Sequence, residues 1–203
     1  YKVTKLPGYE PGVSLFPGWL MGESDLLRKE YPPEKIRPNT AQAKEYLQRA
    51  LQELGLSQTP TLVLLAGDNP ISNIQSEWVQ QTLKTELGID VKIDKQILKQ
   101  RLAKMTSGDF DFVLAGWGPD YNDPLTFGDL FASWNKSNRG QYNSPELDGL
   151  IQTAQGQLDP GVEDAGLWRH STAPHRRCRD SAHVRAGGYL CVGSTIKAAQ
   201  TAG

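Results

Sequence analysis

The chain has 203 residues, 38% of them hydrophobic and 22% charged, and its 22 Lys+Arg against 23 Asp+Glu give a formal net charge of -1. That length builds one large domain or two small ones with a real core, and the near-neutral balance argues against a charge-driven binder of nucleic acid or anionic membrane. No run of about eighteen apolar residues occurs, so no transmembrane helix is encoded. The start, Tyr1-Lys2-Val3, has no initiating Met and no positive-then-apolar leader, and reads as a processed chain or a piece of something longer. Both cysteines (Cys178, Cys191) and all three histidines (His170, His175, His183) lie beyond residue 165. The Cys-free stretch before them is a feature of many extracytoplasmic proteins.

The first forty residues are rich in Pro and Gly (Leu6-Pro7-Gly8, Glu10-Pro11-Gly12, Phe16-Pro17-Gly18, Tyr31-Pro32-Pro33) and should run as turns over something else. Asn39-Thr40 offers an N-cap, and Ala43, Leu47, Ala50, Leu51 and Leu54 share a helical face. Gly55 stands where a left-handed C-terminal residue belongs, so the spacing predicts a helix over about 41–54. Thr61–Ala66, bounded by Pro60 and Gly67, is a short apolar run suited to a strand buried on both faces, though periodicity alone also allows a buried helix.

Ile71, Ile74, Trp78, Val79, Leu83 and Leu87 recur at helical spacing up to Gly88, and Val91–Asp94 alternates like a strand with one wetter face. Leu98, Leu102 and Met105 predict a helix, and Asp111–Gly116 predicts a second buried strand. The resulting strand–helix–strand–helix–strand order predicts an α/β layer with a largely parallel sheet. Asp123-Pro124 then opens a helix near 124–133, and Ser144-Pro145-Glu146 opens one carrying Leu147, Leu150 and Ile151.

In open α/β sheets ligands bind beyond the carboxyl ends of strands. The loop there reads Trp117-Gly118-Pro119-Asp120-Tyr121-Asn122-Asp123-Pro124, with two aromatics, two carboxylates and an amide. A carboxylate beside an indole can seat a cationic amine, by pairing with its charge and offering a ring face. The plainer alternative is a loop in which Asp123 caps a helix and Trp117 fills a gap.

From about 41 to 157 the chain resembles the C-terminal lobe of the family-5 extracellular solute-binding proteins, the oligopeptide- and dipeptide-binding components of ABC importers. The resemblance rests on Ala43-Lys44-Glu45-Tyr46-Leu47, Leu87-Gly88-Ile89-Asp90-Val91, Gly108-Asp109-Phe110-Asp111-Phe112, Ala115–Pro124 and Tyr142-Asn143-Ser144-Pro145-Glu146-Leu147-Asp148, in that order. It implies an incomplete lobe of the type II periplasmic-binding-protein fold, divided into a Pro/Gly-rich lobe-connecting segment (1–40), an α/β ligand-binding lobe (41–160) and an aberrant tail (161–203). It also implies a peptide ligand, an ABC-importer permease as partner, a missing N-terminal lobe, and a periplasmic or cell-surface location. By the same resemblance Asp120 pairs with the ligand's N-terminal ammonium, Trp117 lines the site beside Tyr121, and Asn122 assists by hydrogen bonding or holds the loop. No catalytic residue, metal or cofactor is called for. Some relatives carry Arg near this strand for the ligand's C-terminal carboxylate, whereas Val113-Leu114-Ala115 offers none. The carboxylate is therefore met elsewhere, or the ligand is longer, different, or not a peptide, since relatives also bind nickel chelates, haem or sugars.

From Gly161 onward no amphipathic period survives, where the family would place a long helix and returning strands. A one-base shift of permitted codons restores phrases such as Tyr-Val-Trp-Asp-Pro that resemble the family's closing elements. The tail is therefore expected to be a wrong-frame product of a base lost or gained near codons 160–163, poorly packed. Zinc ligation by His170, His175, Cys178 and His183 is the competing account, but their spacing fits no common finger. Function then divides between a binding module, a metal-dependent hydrolase built on that tail, and a truncated remnant without function. Asp109 with Asp111, and Asp120 with Asp123, could serve as acid–base pairs, but strand-edge and capping roles account for them more simply. Half a clamshell should bind its ligand weakly, because the opposite lobe supplies much of the buried surface.

Overall fold

The computed structural model describes residues 14–33, 39–119 and 123–156, and the backbone of 189–193. A four-stranded sheet holds β1 (Leu62–Gly67), β2 (Val91–Gln96), β3 (Phe112–Gly116) and β4 (Tyr189–Gly193) in the spatial order β2-β1-β3-β4. The first three are parallel, and β4 runs antiparallel to β3 with Phe112 opposite Gly193. The tail's only described part is thus a sheet edge; its remainder, including His170, His175, Cys178 and His183, lies outside the described residues.

β1 is apolar throughout because both of its faces are covered. Leu64 and Ala66 join Val79, Ile89, Val91 and Leu114 in a core under α3 (Pro70–Leu87), to which Leu47 of α2 (Thr40–Glu53) adds. Leu65 and Val113 meet Met105 and Phe110 on the opposite face, under α4 (Leu98–Ser107). At the edge, β2 buries Val91 and exposes Lys92, but Lys95 on the face of Val91 is exposed and Asp94 on the face of Lys92 is half-buried, so the predicted alternation does not run the length of the strand.

Helix boundaries follow local chemistry. The Asn39 side chain accepts from the backbone N–H of Gln42 (3.1 Å), and Asn69 does the same for Ser72 (3.0 Å) with Pro70 behind it at the first helical position. Gly55 and Gly88 take φ of 65° and 72°, the left-handed turn that ends a helix at little cost only in glycine. The apolar periodicity is less faithful. Ile74 and Trp78 on α3 stay 45% and 41% exposed, and Leu98 and Leu102 on α4 stay 63% and 43% exposed. The first half of α3 buries Ser72, Gln75 and Ser76 instead. The Ser76 hydroxyl donates back to the Asn73 carbonyl (3.0 Å), which keeps that buried donor satisfied within the helix.

A separate core gathers Phe16, Leu20 and Leu27 with Phe127, Ala132, Leu147, Ile151 and Ala154. The Phe16 and Phe127 rings meet edge to face at 6.3 Å. Residues 14–33 run as turns with one short helix, α1 (Leu27–Glu30). They are pinned by Arg28 Nε donating to the Phe16 carbonyl (2.7 Å) and by the Glu30 carboxylate, which accepts from the backbone N–H groups of Glu23, Ser24 and Asp25. The helix predicted near 124–133 is a single turn, α5 (Leu125–Gly128), that tightens into a 3₁₀ turn over Asp129–Phe131. Asn138 ends it by donating its amide to the carbonyl of Ala132 (3.1 Å) and, at the margin of hydrogen-bond length, to that of Phe131 (3.5 Å). α6 (Pro145–Gly156) begins at Ser144, whose hydroxyl accepts from Leu147 N–H (3.3 Å), and buries Leu147, Ile151 and Ala154.

Candidate functional site

The strand order places the site. From β1 the chain crosses one face through α3 to β2, then returns over the other face through α4 to β3. Connections leaving two neighbouring parallel strands toward opposite faces open a crevice beyond their carboxyl ends. That edge carries Gly67 of β1, Gln96 of β2 and Gly116 of β3.

Of the four ligand-binding residues predicted from sequence, Trp117 is placed. It follows β3 directly, lies half-buried against the Phe16–Phe127 core, and keeps its indole Nε1 buried with no hydrogen-bond partner among the described residues. A buried indole N–H normally finds an acceptor. Gly118 has open space on its side-chain face. Asp120, Tyr121 and Asn122 lie outside the described residues. On the far side of this loop the Asp123 carboxylate accepts from Leu125 N–H (2.6 Å), a turn-closing role. Burial, followed by the charge of Asp123, raises the Asp129 carboxyl above the usual carboxylate range.

The other carboxylates weighed as acid–base groups do structural work. Asp111 Oδ2 accepts from the backbone N–H of Val63 (2.6 Å) and so extends the joint between β1 and β3. Asp109 pairs with Lys104 (2.9 Å), which also reaches Asp94 (2.7 Å). The hydrogen bond from Lys104, helped by one from Gln96, holds the Asp94 carboxyl below its ordinary value, and Asp94 in return raises Lys104. Among the described residues no three His, Cys, Asp or Glu side chains gather to hold a metal.

A second polar group at the same edge escapes sequence reasoning. A Cβ placed on Gly67 would lie 2.9 Å from Arg101 Nη1, 3.0 Å from Ser72 Oγ and 3.1 Å from Asn69 Nδ2. Arg101 Nε is buried without an acceptor among the described residues. The available signal was Gly67-Asp68-Asn69-Pro70, a strand end running straight into a helix cap, but nothing in the linear sequence brings Arg101 there.

The profile of the bacterial extracellular solute-binding proteins, family 5 Middle, matches residues 3–139, a span that includes most of the Pro/Gly-rich start. The chain is 30% identical over 143 residues to the dipeptide-binding protein DppE of Bacillus subtilis, covering 70% of this chain and 26% of that protein. It is 32% identical over 186 residues to a dipeptide-binding protein of Lactococcus lactis, covering 89% of this chain and 33% of that protein. Thus the chain spans about a quarter to a third of the length of these curated relatives. A crystal structure described as a peptide-binding protein of a peptide ABC transporter superposes with a TM-score of 0.80 at 28% identity, covering 95% of this chain and 84% of that one.

Proposed function

This chain belongs to family 5 of the bacterial extracellular solute-binding proteins and has their type II α/β fold, and from that premise we propose that it is part of the peptide-capturing component of an ABC importer. The observation that carries the proposal is Trp117. It is held at the carboxyl end of β3 with an indole N–H that has no partner among the described residues, three positions before Asp120 and its neighbours Tyr121 and Asn122. A peptide's ammonium leaves water only for a charged partner. Asp120 is the carboxylate in reach by sequence, with Trp117 and Tyr121 offering apolar walls and Asn122 a further hydrogen bond. Backbone groups of an extended peptide then add affinity with little regard to side chains.

The proposed role is capture, without catalysis, outside the cytoplasm and in partnership with a permease. The names of the relatives, all binding proteins, support that role. Among the described residues no helix is long and apolar enough to cross a membrane.

Titration of trialanine and N-acetyl-trialanine into the chain and into its Asp120→Asn variant tests the proposal. Binding is expected in the millimolar range for the isolated chain. A charge-assisted pair contributes about 1.5–3 kcal/mol, so acetylation and Asp120→Asn should each weaken binding about tenfold or more. Equal binding of the two peptides by the wild-type chain would refute the ammonium role.

A further inference from the structure

The two edges of the sheet are built differently. At β2, Gln80 of α3 donates its amide to the Val91 carbonyl (2.7 Å), Lys92 and Lys95 stand exposed, and Lys95 is held by Glu77 (3.2 Å). Lysines and a side chain on an edge carbonyl keep such a strand from pairing with another chain. β4 ends the sheet on the other side and has β3 as its one neighbour among the described residues. Its sequence, Tyr189-Leu190-Cys191-Val192-Gly193, carries no charge and no proline. The antiparallel register sets Cys191 opposite Leu114, on the face of the α3 core, and Val192 opposite Val113, on the face of the α4 core. Both apolar layers therefore continue onto an edge that lacks the guards of β2, and an edge of that kind takes a further strand.

We propose that β4 is a self-association edge, at which two copies of the chain join their β4 strands antiparallel about a two-fold axis into one continuous sheet. The inference is independent of the peptide-binding function above. A second copy is the occupant that the strand itself specifies. A strand paired antiparallel with its own copy makes an isologous contact, which closes at two chains. An axis at the middle residue, Cys191, pairs every position of Tyr189–Gly193: Cys191 with Cys191, Leu190 with Val192, Tyr189 with Gly193. Other registers leave strand ends unpaired. This one opposes no like charges and sets aliphatic residues across from each other. Opposed residues in antiparallel strands have Cα atoms about 4.5–5.5 Å apart, inside the range of about 4.4–6.8 Å that a disulfide spans. One of the chain's two cysteines thus occupies the position where identical residues meet.

The test uses the full 203-residue chain, first under a thiol reductant. Sedimentation equilibrium should show a monomer–dimer equilibrium half complete at about 0.1–1 mM, because one short strand a side makes a small interface. Cys191→Lys sets two like charges opposite each other and should weaken association about fivefold or more, whereas Cys191→Thr, a neutral strand former, should stay within about twofold of the wild type. Amide hydrogen exchange over 189–193 should slow as concentration rises, and exchange over 91–96 should not. In a second step, oxidised glutathione replaces the reductant. It takes up the two protons and two electrons released by two thiols and leaves as two molecules of reduced glutathione. It should link Cys191 to Cys191 across the dimer, in the wild type and in Cys178→Ser alike. A chain that stays monomeric up to about 1 mM under reductant would overturn the proposal. So would a dimer indifferent to Cys191→Lys, or one that slows exchange at β2 and not at β4. A link through Cys178 alone would overturn the register.

Discussion

Replacing Phe16 by Ala tests whether the early Pro/Gly-rich segment is a built part of the fold. Phe16 is fully buried, and its ring meets Phe127 edge to face at 6.3 Å in the core against which Trp117 also packs. Deleting a buried phenyl ring costs about 3–5 kcal/mol through lost transfer energy and the cavity left behind, a figure that includes the roughly 0.5–1.5 kcal/mol of the aromatic pair. Small domains are stable by only about 5–15 kcal/mol, so the loss is a large share of the total. In urea, with a slope of about 2 kcal/mol/M, the unfolding midpoint should fall by about 2 M at unchanged slope. Tryptophan fluorescence reads the transition, and Gln52→Ala on the exposed face of α2 serves as the neutral control. A Phe16→Ala cost under about 1 kcal/mol would show that residues 14–33 do not seat in this core, and the placement of Trp117 would fall with it.

Asp129 is held above its ordinary range by burial, so its ionised form opposes folding at neutral pH. Asp129→Asn should raise the melting temperature at pH 7, and the gain should vanish below about pH 4, where the carboxyl is protonated in both states. Asp94 has the opposite sign. Its folded value is lowered by Lys104, so its contribution is present above about pH 4 and disappears as pH falls through the depressed value. Asp94→Asn should therefore flatten the acid limb of a stability–pH profile, and an unchanged limb would refute the pairing. Asn69→Ala removes the cap that accepts from Ser72 N–H and should cost about 1 kcal/mol in urea unfolding. For the tail, we propose that the coding DNA carries a one-base gain or loss near codons 160–163; a clean read in the present frame would refute this.

The sheet and its helices were legible because each boundary is written in chemistry that acts locally. Pro60 and Gly67 bracket β1, Asn69-Pro70 starts α3, and Gly88 ends it. Burial was less legible. Ile74, Trp78, Leu98 and Leu102 have helical spacing yet stand exposed, because spacing names a face without naming what covers it. The turn after Asp123 ends early because Asn138, several residues further on, takes up its last carbonyls. In the candidate site, Trp117 was legible from the strand that precedes it, but Arg101 was not. Its approach to Gly67 depends on the reversal of strand order at β1, which brings α4 and the start of α3 to one crevice from opposite faces.

The central claim is that a peptide binds at the carboxyl edge of the sheet, beside Trp117. The most direct measurement is a ¹⁵N–¹H map of the chain titrated with millimolar trialanine, with the indole N–H of Trp117 followed among the five tryptophans. The account predicts saturable shifts of the Trp117 indole and of the Gly67, Asn69 and Gly118 amides, with residues at the amino ends of the strands, such as Leu62 and Val91, unmoved. Shifts confined to those amino ends, or a still Trp117 indole at saturation, would contradict it.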